Sequence, residues 1–130
     1  MTHLPALVTL LTMLLLLGTM FAVGRARGVH GIKAPAVSGH PAFERAYRVQ
    51  MNTLEATVLF LPTLWLAARY GFAGWAGVAG LVWLAGRVWY ALAYLQDAAK
   101  RGAGFTLGML GWAALLVMAG IGVTRAMLLG

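Results

Sequence analysis

Apolar positions fill long unbroken stretches of this chain, and polar positions gather between them. Four stretches are apolar over enough length to cross a bilayer as helices: Leu4–Val23, about Asn52–Ala68, about Trp75–Leu95 and about Phe105–Leu129. A hydrocarbon core about 30 Å thick needs roughly 20 helical residues. The runs are too long and too weakly alternating for barrel strands. With their polar ends included, the expected helices cover about 4–23, 43–69, 74–99 and 104–129. The pattern predicts an all-α integral membrane protein, a single four-transmembrane-helix bundle spanning residues 1–130.

Composition agrees with this reading, since 62% of residues are hydrophobic and 10% charged. The chain has no cysteine, which removes disulfides, iron–sulfur clusters and any protein thiol nucleophile. Thiol chemistry here requires a co-substrate that carries the thiol. The formal charge of +7 is distributed unevenly. Arg25, Arg27 and Lys33 fall in the first loop, Gly24 to Ala42, with Arg45 and Arg48 just beyond it, and Lys100 and Arg101 fall in the third connection. The opposite side offers only Arg69 and Arg125. The positive-inside rule then places loops 24–42 and 96–104 in the cytoplasm and both termini outside. No basic stripe is attached to a soluble module, so a nucleic-acid partner is excluded.

Ala22-Val23-Gly24 resembles a signal-peptide cleavage site. Met1-Thr2-His3 carries no Lys or Arg, however, and the apolar run exceeds a usual signal core, so the first segment is expected to be retained. Gly71, Gly74, Gly77 and Gly80 recur every three positions, and Gly104 and Gly108 open the fourth helix. Such spacing lets membrane helices approach closely. Pro62 is expected to kink the second helix by removing a backbone hydrogen bond. Tyr70, Trp75, Trp89 and Tyr90 sit near the expected interfaces, where aromatic belts form.

Two polar seams carry the candidate chemistry. The chain has three acidic residues, and two of them, Glu44 and Glu55, lie within Phe43–Glu55. On a helix Arg45, Arg48, Asn52 and Glu55 share one face. Ionisable groups entering a bilayer are costly and mark functional sites. On the third helix Arg87, Tyr90, Tyr94, Asp97 and Arg101 follow a 3, 4, 3, 4 spacing that keeps them on one seam. An ordinary interfacial seam has the same look, with anchoring tyrosines, snorkelling arginines and Asp97 paired to one of them. For Arg87, a buried pair with Glu55 or Asp97 stands beside a ligand-binding role. Other chemistries lack their parts. His3, His30 and His40 have no metal-ligand spacing, and Ser38, the only serine, lies in a loop.

The stretch Phe43 to Ala68, FERAYRVQMNTLEATVLFLPTLWLAA, resembles the signature of the MAPEG family, the membrane-associated proteins of eicosanoid and glutathione metabolism. Leu81–Arg101, LVWLAGRVWYALAYLQDAAKR, resembles that family too, at a distance that needs no insertion. The likeness is closest to the branch of microsomal glutathione transferases and cysteinyl-leukotriene synthase. It implies a homotrimer with glutathione, as co-substrate, bound between neighbouring subunits on the cytosolic side. Carried over by position, it implies that Arg48, Asn52 and Glu55 hold the tripeptide, that Tyr90, Tyr94 and Arg101 complete that side, and that Arg27 and Gln50 reach it from the adjacent subunit. It gives Arg101 and Tyr94 the catalytic positions at the sulfur. One departure is Ala56, where the leukotriene synthase has a tyrosine.

The implied function is a membrane glutathione transferase that activates the thiol to attack an apolar electrophile or reduce a lipid hydroperoxide, as in detoxification and lipid metabolism. The residue types suit it: arginines take the two carboxylates of glutathione and Glu55 its ammonium. A free thiol of pKa about 8.5 is only about 3% thiolate at pH 7. Lowering that pKa by about two units needs roughly 2.7 kcal/mol. One guanidinium about 4 Å from sulfur supplies roughly 4 kcal/mol at an effective dielectric near 20, before desolvation. The alternative is a non-catalytic lipid-binding or scaffold member of the same fold. A small proton-coupled exporter is disfavoured, because Leu4–Val23 holds no charged residue.

Overall fold

The computed structural model describes residues 2–130. Four α-helices follow in order: α1 Leu4–His30, α2 Pro41–Ala67, α3 Ala73–Gln96 and α4 Gly102–Leu129. A π-type turn, Ala68–Phe72, joins α2 to α3, and among the described residues three helical stretches are long and apolar enough to cross a membrane: Leu4–His30, Pro41–Gln96 with that turn inside it, and Ala98–Leu129. Within the second of these the backbone leaves helical geometry at Tyr70 and at Gly71, where φ is +107°. Glycine takes that left-handed conformation without a Cβ penalty. The reversal is visible in the pairs that meet across α2 and α3: Asn52 with Arg87, Phe60 with Trp83, Leu64 with Gly80.

The first helix extends beyond its expected end at Val23 to His30, which puts Arg25 and Arg27 on α1 instead of in a loop. Arginine is a good helix former, so nothing stops the helix where the apolar run stops. It stops at Gly31, whose φ of +65° lets its N–H close on the Arg27 carbonyl. His40 then starts α2, its Nδ1 accepting from the Ala42 N–H with Pro41 in the first turn. Pro62 lies inside α2, where it supplies no backbone N–H, and the helix continues past it to Ala67.

Apolar lipid gives helices no hydrophobic reason to associate, so close packing has to hold the bundle. Glycines bring α3 and α4 backbone to backbone. A Cβ on Gly86 would collide with the Gly108 backbone, and one on Gly104 with the Tyr90 backbone N. A Cβ on Gly111 would sit 2.6 Å from the Trp83 backbone N. The remaining core joins Val8 of α1, Phe60 and Leu64 of α2, Trp83 of α3 and Leu115 of α4. Phe60 and Trp83 stack with centroids 3.7 Å apart. Leu10, Leu14, Phe21, Val58, Leu59, Leu116 and Ile121 face outward, as lipid contact requires. Buried Thr12 and Thr57 donate to the carbonyls of Val8 and Thr53, so their hydroxyls need no water.

Candidate functional site

A polar cavity of about 390 Å³ lies between α2, α3 and the start of α4, lined by Arg48, Met51, Asn52, Glu55, Tyr90, Tyr94 and Arg101. Its size falls within the ~300–1,000 Å³ of small-molecule sites. The helical period builds one wall: Arg48, Asn52 and Glu55 stand at i, i+4 and i+7 on α2. Tyr90 and Tyr94, one turn apart on α3, form the other, with ring centroids 5.5 Å apart edge to face. Phe105 of α4 backs Tyr90 at 6.2 Å.

The seam predicted along the third helix holds only as far as Tyr94. Helix α3 ends at Gln96, and Asp97 adopts extended backbone with φ −160°. Its Oδ1 accepts from the Ala99 N–H at 3.0 Å, which starts the 3-10 turn Ala98–Lys100. Asp97 is thus a cap, paired with a backbone amide and not with an arginine. The turn carries Arg101 back towards the cavity, where its Nη1 donates to the Ala98 carbonyl at 2.6 Å. Its guanidinium carbon lies 5.8 Å from the Tyr94 ring centre.

Of the two expectations for Arg87, a carboxylate pair or a ligand-binding role, the pair with Glu55 or Asp97 is not formed, and Arg87 does not line the cavity. It is 2% exposed, and one Nη2 donates to Asn52 Oδ1 at 2.9 Å and to Thr53 Oγ1 at 3.0 Å. The guanidinium lies 4.1 Å from the Tyr90 ring centroid, within cation–π range. Its Nε is buried without a partner among the described residues. The helix period explains the correction: α2 turns Glu55 towards the cavity, while its inner face offers Asn52 and Thr53 at the depth of Arg87. Sequence reasoning missed Thr53, whose signal was a β-branched hydroxyl beside Asn52, and missed Met51 in the cavity wall.

Arg27 and Gln50 do not line this cavity. Arg27 donates to the Ala36 carbonyl at 2.8 Å and stacks 4.8 Å from the Phe43 ring centroid. Gln50 is half-buried, two residues from Asn52 and so on a different side of α2. Arg45, grouped with the α2 seam, donates its Nε to the Leu95 carbonyl at 3.1 Å. It lies in an adjoining recess of about 350 Å³ that shares Arg48 and Tyr94 with the cavity. Ala56, partly buried, packs against the helix core. A wider recess of about 600 Å³ along α4 is walled by Val117, Ile121, Leu128 and Leu129 with Arg125, and lacks converging polar groups.

The cavity therefore presents two guanidinium groups, one carboxylate, one amide and two phenols at one end of an apolar bundle. Such a set is complementary in charge to a compact zwitterion with more negative than positive groups. Residues 5–121 match the model of the MAPEG family. The chain is 47% identical over 113 residues to an uncharacterised protein of Synechocystis sp., covering 87% of this chain and 82% of that one. It is 38% identical over 106 residues to microsomal glutathione S-transferase 2 of Bos taurus, covering 82% and 73%. It is 40% identical over 96 residues to leukotriene C4 synthase of Cavia porcellus, covering 74% and 64%.

Proposed function

The chain belongs to the MAPEG family, and from that premise we propose that it is a membrane glutathione transferase whose polar cavity binds and activates glutathione. The single observation that carries this reading is the convergence of Arg48, Asn52, Glu55, Tyr90, Tyr94 and Arg101 on one cavity. Arg48 and Arg101 suit the carboxylates and the developing thiolate, and Glu55 suits the ammonium. The phenol of Tyr94, whose ring lies 5.8 Å from the Arg101 guanidinium carbon, would donate to sulfur.

The reaction begins when the bound thiol gives its proton to water, leaving a thiolate stabilised by Arg101 and Tyr94. With an electrophile, a sulfur–carbon bond forms and the displaced electron pair leaves with the leaving group or opened ring. With a hydroperoxide, sulfur attacks the distal oxygen, the O–O bond breaks, and the alkoxide takes a proton back from water and departs as an alcohol. The resulting glutathione sulfenic acid condenses with a second glutathione to give disulfide and water. An apolar second substrate is favoured because the helices that wall the cavity also carry outward-facing apolar side chains, among them Leu54 and Val58 of α2 and Leu92 of α3.

The assembly proposed is a homotrimer. In it Arg27 and Gln50, which do not line the cavity of their own chain, would reach a neighbour's cavity, as the family likeness implies. Loops 31–40 and 97–101 share one end of the bundle, which supports a cytoplasmic face there and termini outside. Stopped-flow mixing of the purified protein with glutathione, followed by electrophile and hydroperoxide panels, tests the function. Thiolate absorbance near neutral pH with turnover is expected. Binding without thiolate or turnover points instead to the non-catalytic lipid-binding or scaffold reading.

A further inference from the structure

Arg87 sits beneath the cavity wall without lining it, and both of its side-chain hydrogen bonds go to neutral acceptors on α2. We propose that Arg87 is a positioning residue that locks the Asn52 amide with its N–H₂ group, not its carbonyl oxygen, facing the cavity. The ligand group met there must then be an acceptor, a carboxylate or carbonyl oxygen, and not an amine. This deepens the glutathione reading and rests on it.

The direction of the lock follows from elementary donor and acceptor chemistry. A guanidinium has five N–H donors and no acceptor, while an asparagine amide has donors at one end and an acceptor at the other. The 2.9 Å contact therefore takes the Asn52 oxygen and leaves its Nδ2 to the cavity side. Without Arg87 the amide is free to turn over and offer either end.

Three helices hold Arg87 in place. Thr53 on α2 accepts from the same Nη2 at 3.0 Å. Tyr90, one turn along α3, places its ring 4.1 Å from the guanidinium carbon. Gly108 on α4 packs against the side-chain stem, where a Cβ would make only an ordinary contact of 3.4 Å with Arg87 Cδ. The cavity wall then presents donors from Arg48, Arg101 and Asn52, with Glu55 its one carboxylate. A ligand rich in acceptors and carrying a single ammonium meets each of these groups.

The test is a double-mutant cycle read by calorimetry of glutathione binding to the full-length assembled protein. Arg87→Met is expected to weaken binding about tenfold, the loss of one well-oriented charge-facing hydrogen bond. In an Asn52→Ala background the same change is expected to add less than about twofold, because Arg87 acts through Asn52. Arg87→Lys, which keeps a cationic donor in reach, is expected to recover most of the affinity. Full additivity in a parent that binds glutathione overturns this inference alone. A parent that binds no glutathione overturns the functional reading and this inference with it. Asn52→Asp supplies a second route if Arg87→Met does not assemble, because it keeps the acceptor for Arg87 and removes the cavity donor. Its expected loss is about tenfold, and binding equal to the parent overturns the lock.

Discussion

The guanidinium carbon of Arg101 lies 5.8 Å from the centre of the Tyr94 ring, although the two residues belong to different helical segments. The chain leaves α3 at Gln96, turns through Ala98–Lys100 and brings Arg101 to the head of α4. A cation and a phenol thereby share one lip of the cavity. Contact of Nη1 with the Ala98 carbonyl fixes the arm of the arginine and leaves its other donors to a ligand.

Arg101→Ala should therefore separate chemistry from binding. Glutathione affinity should largely persist while turnover falls, and the bound thiol pKa should rise towards its free value of about 8.5. A thiol whose pKa rises is less ionised at neutral pH, so thiolate absorbance should nearly vanish there and activity should partly return as pH increases. Arg101→Lys should keep part of the function, since a point charge still acts on sulfur. A parental thiolate titration in the alanine variant would transfer the role to Tyr94.

Glu55→Gln and Arg48→Ala remove the proposed partners of the ammonium and of a carboxylate. Each should cost on the order of 1.5–3 kcal/mol of binding as a charged hydrogen bond, or at least about tenfold in affinity. Calorimetry showing both variants bind like the parent would place the glutathione site elsewhere.

Gly86→Ala tests the packing that presents Tyr90 and Arg87. Its Cβ would meet the Gly108 backbone, which cannot swing aside as a flexible side chain would. Overpacking of this kind costs typically about 1–3 kcal/mol. Thermal unfolding in mild detergent should shift down clearly for Gly86→Ala and little for Gly120→Ala, where a Cβ would meet nothing within 4 Å. Equal shifts would remove the glycine seam from the account of the fold.

The absence of cysteine makes topology directly measurable. In intact cells a membrane-impermeant maleimide should label Thr2→Cys and spare Ser38→Cys until the membrane is opened. The reverse pattern would invert the proposed orientation. Mass measurement of the same proteins in mild detergent should give three copies, and a monomer at every concentration would reject the trimer.

The helices and the cavity were legible in the sequence because both follow from periodicity. Apolar runs mark most of α3 and α4, α2 starts at Pro41, well before its apolar run about Asn52–Ala68, and spacings of four and seven put Arg48, Asn52 and Glu55 on one cavity wall. The rest depended on information that period does not carry. The end of α1 is set by backbone geometry at Gly31, not by hydropathy, so Arg27 moved from loop to helix. Asp97 and Arg101 continue the spacing of Tyr90 and Tyr94, but an extended residue at Asp97 breaks the helix between them. Arg87 looked like half of an ion pair because charge suggests charge. Its partners, Asn52 and Thr53, are neutral and become visible only once α2 and α3 are brought side by side.

The turn at Tyr70–Gly71 gives the α2–α3 hairpin almost no slack. Counting from that turn, Thr53 and Arg87 stand at nearly matching distances along the two arms. One residue inserted between the turn and Arg87 would advance the side chain about 1.5 Å and swing it about 100° around its helix, aiming the cation at lipid. The hairpin is a ruler as well as a wall. Changes in chain length should be tolerated in the exposed 31–40 segment and rejected between positions 54 and 86, whatever residues are added.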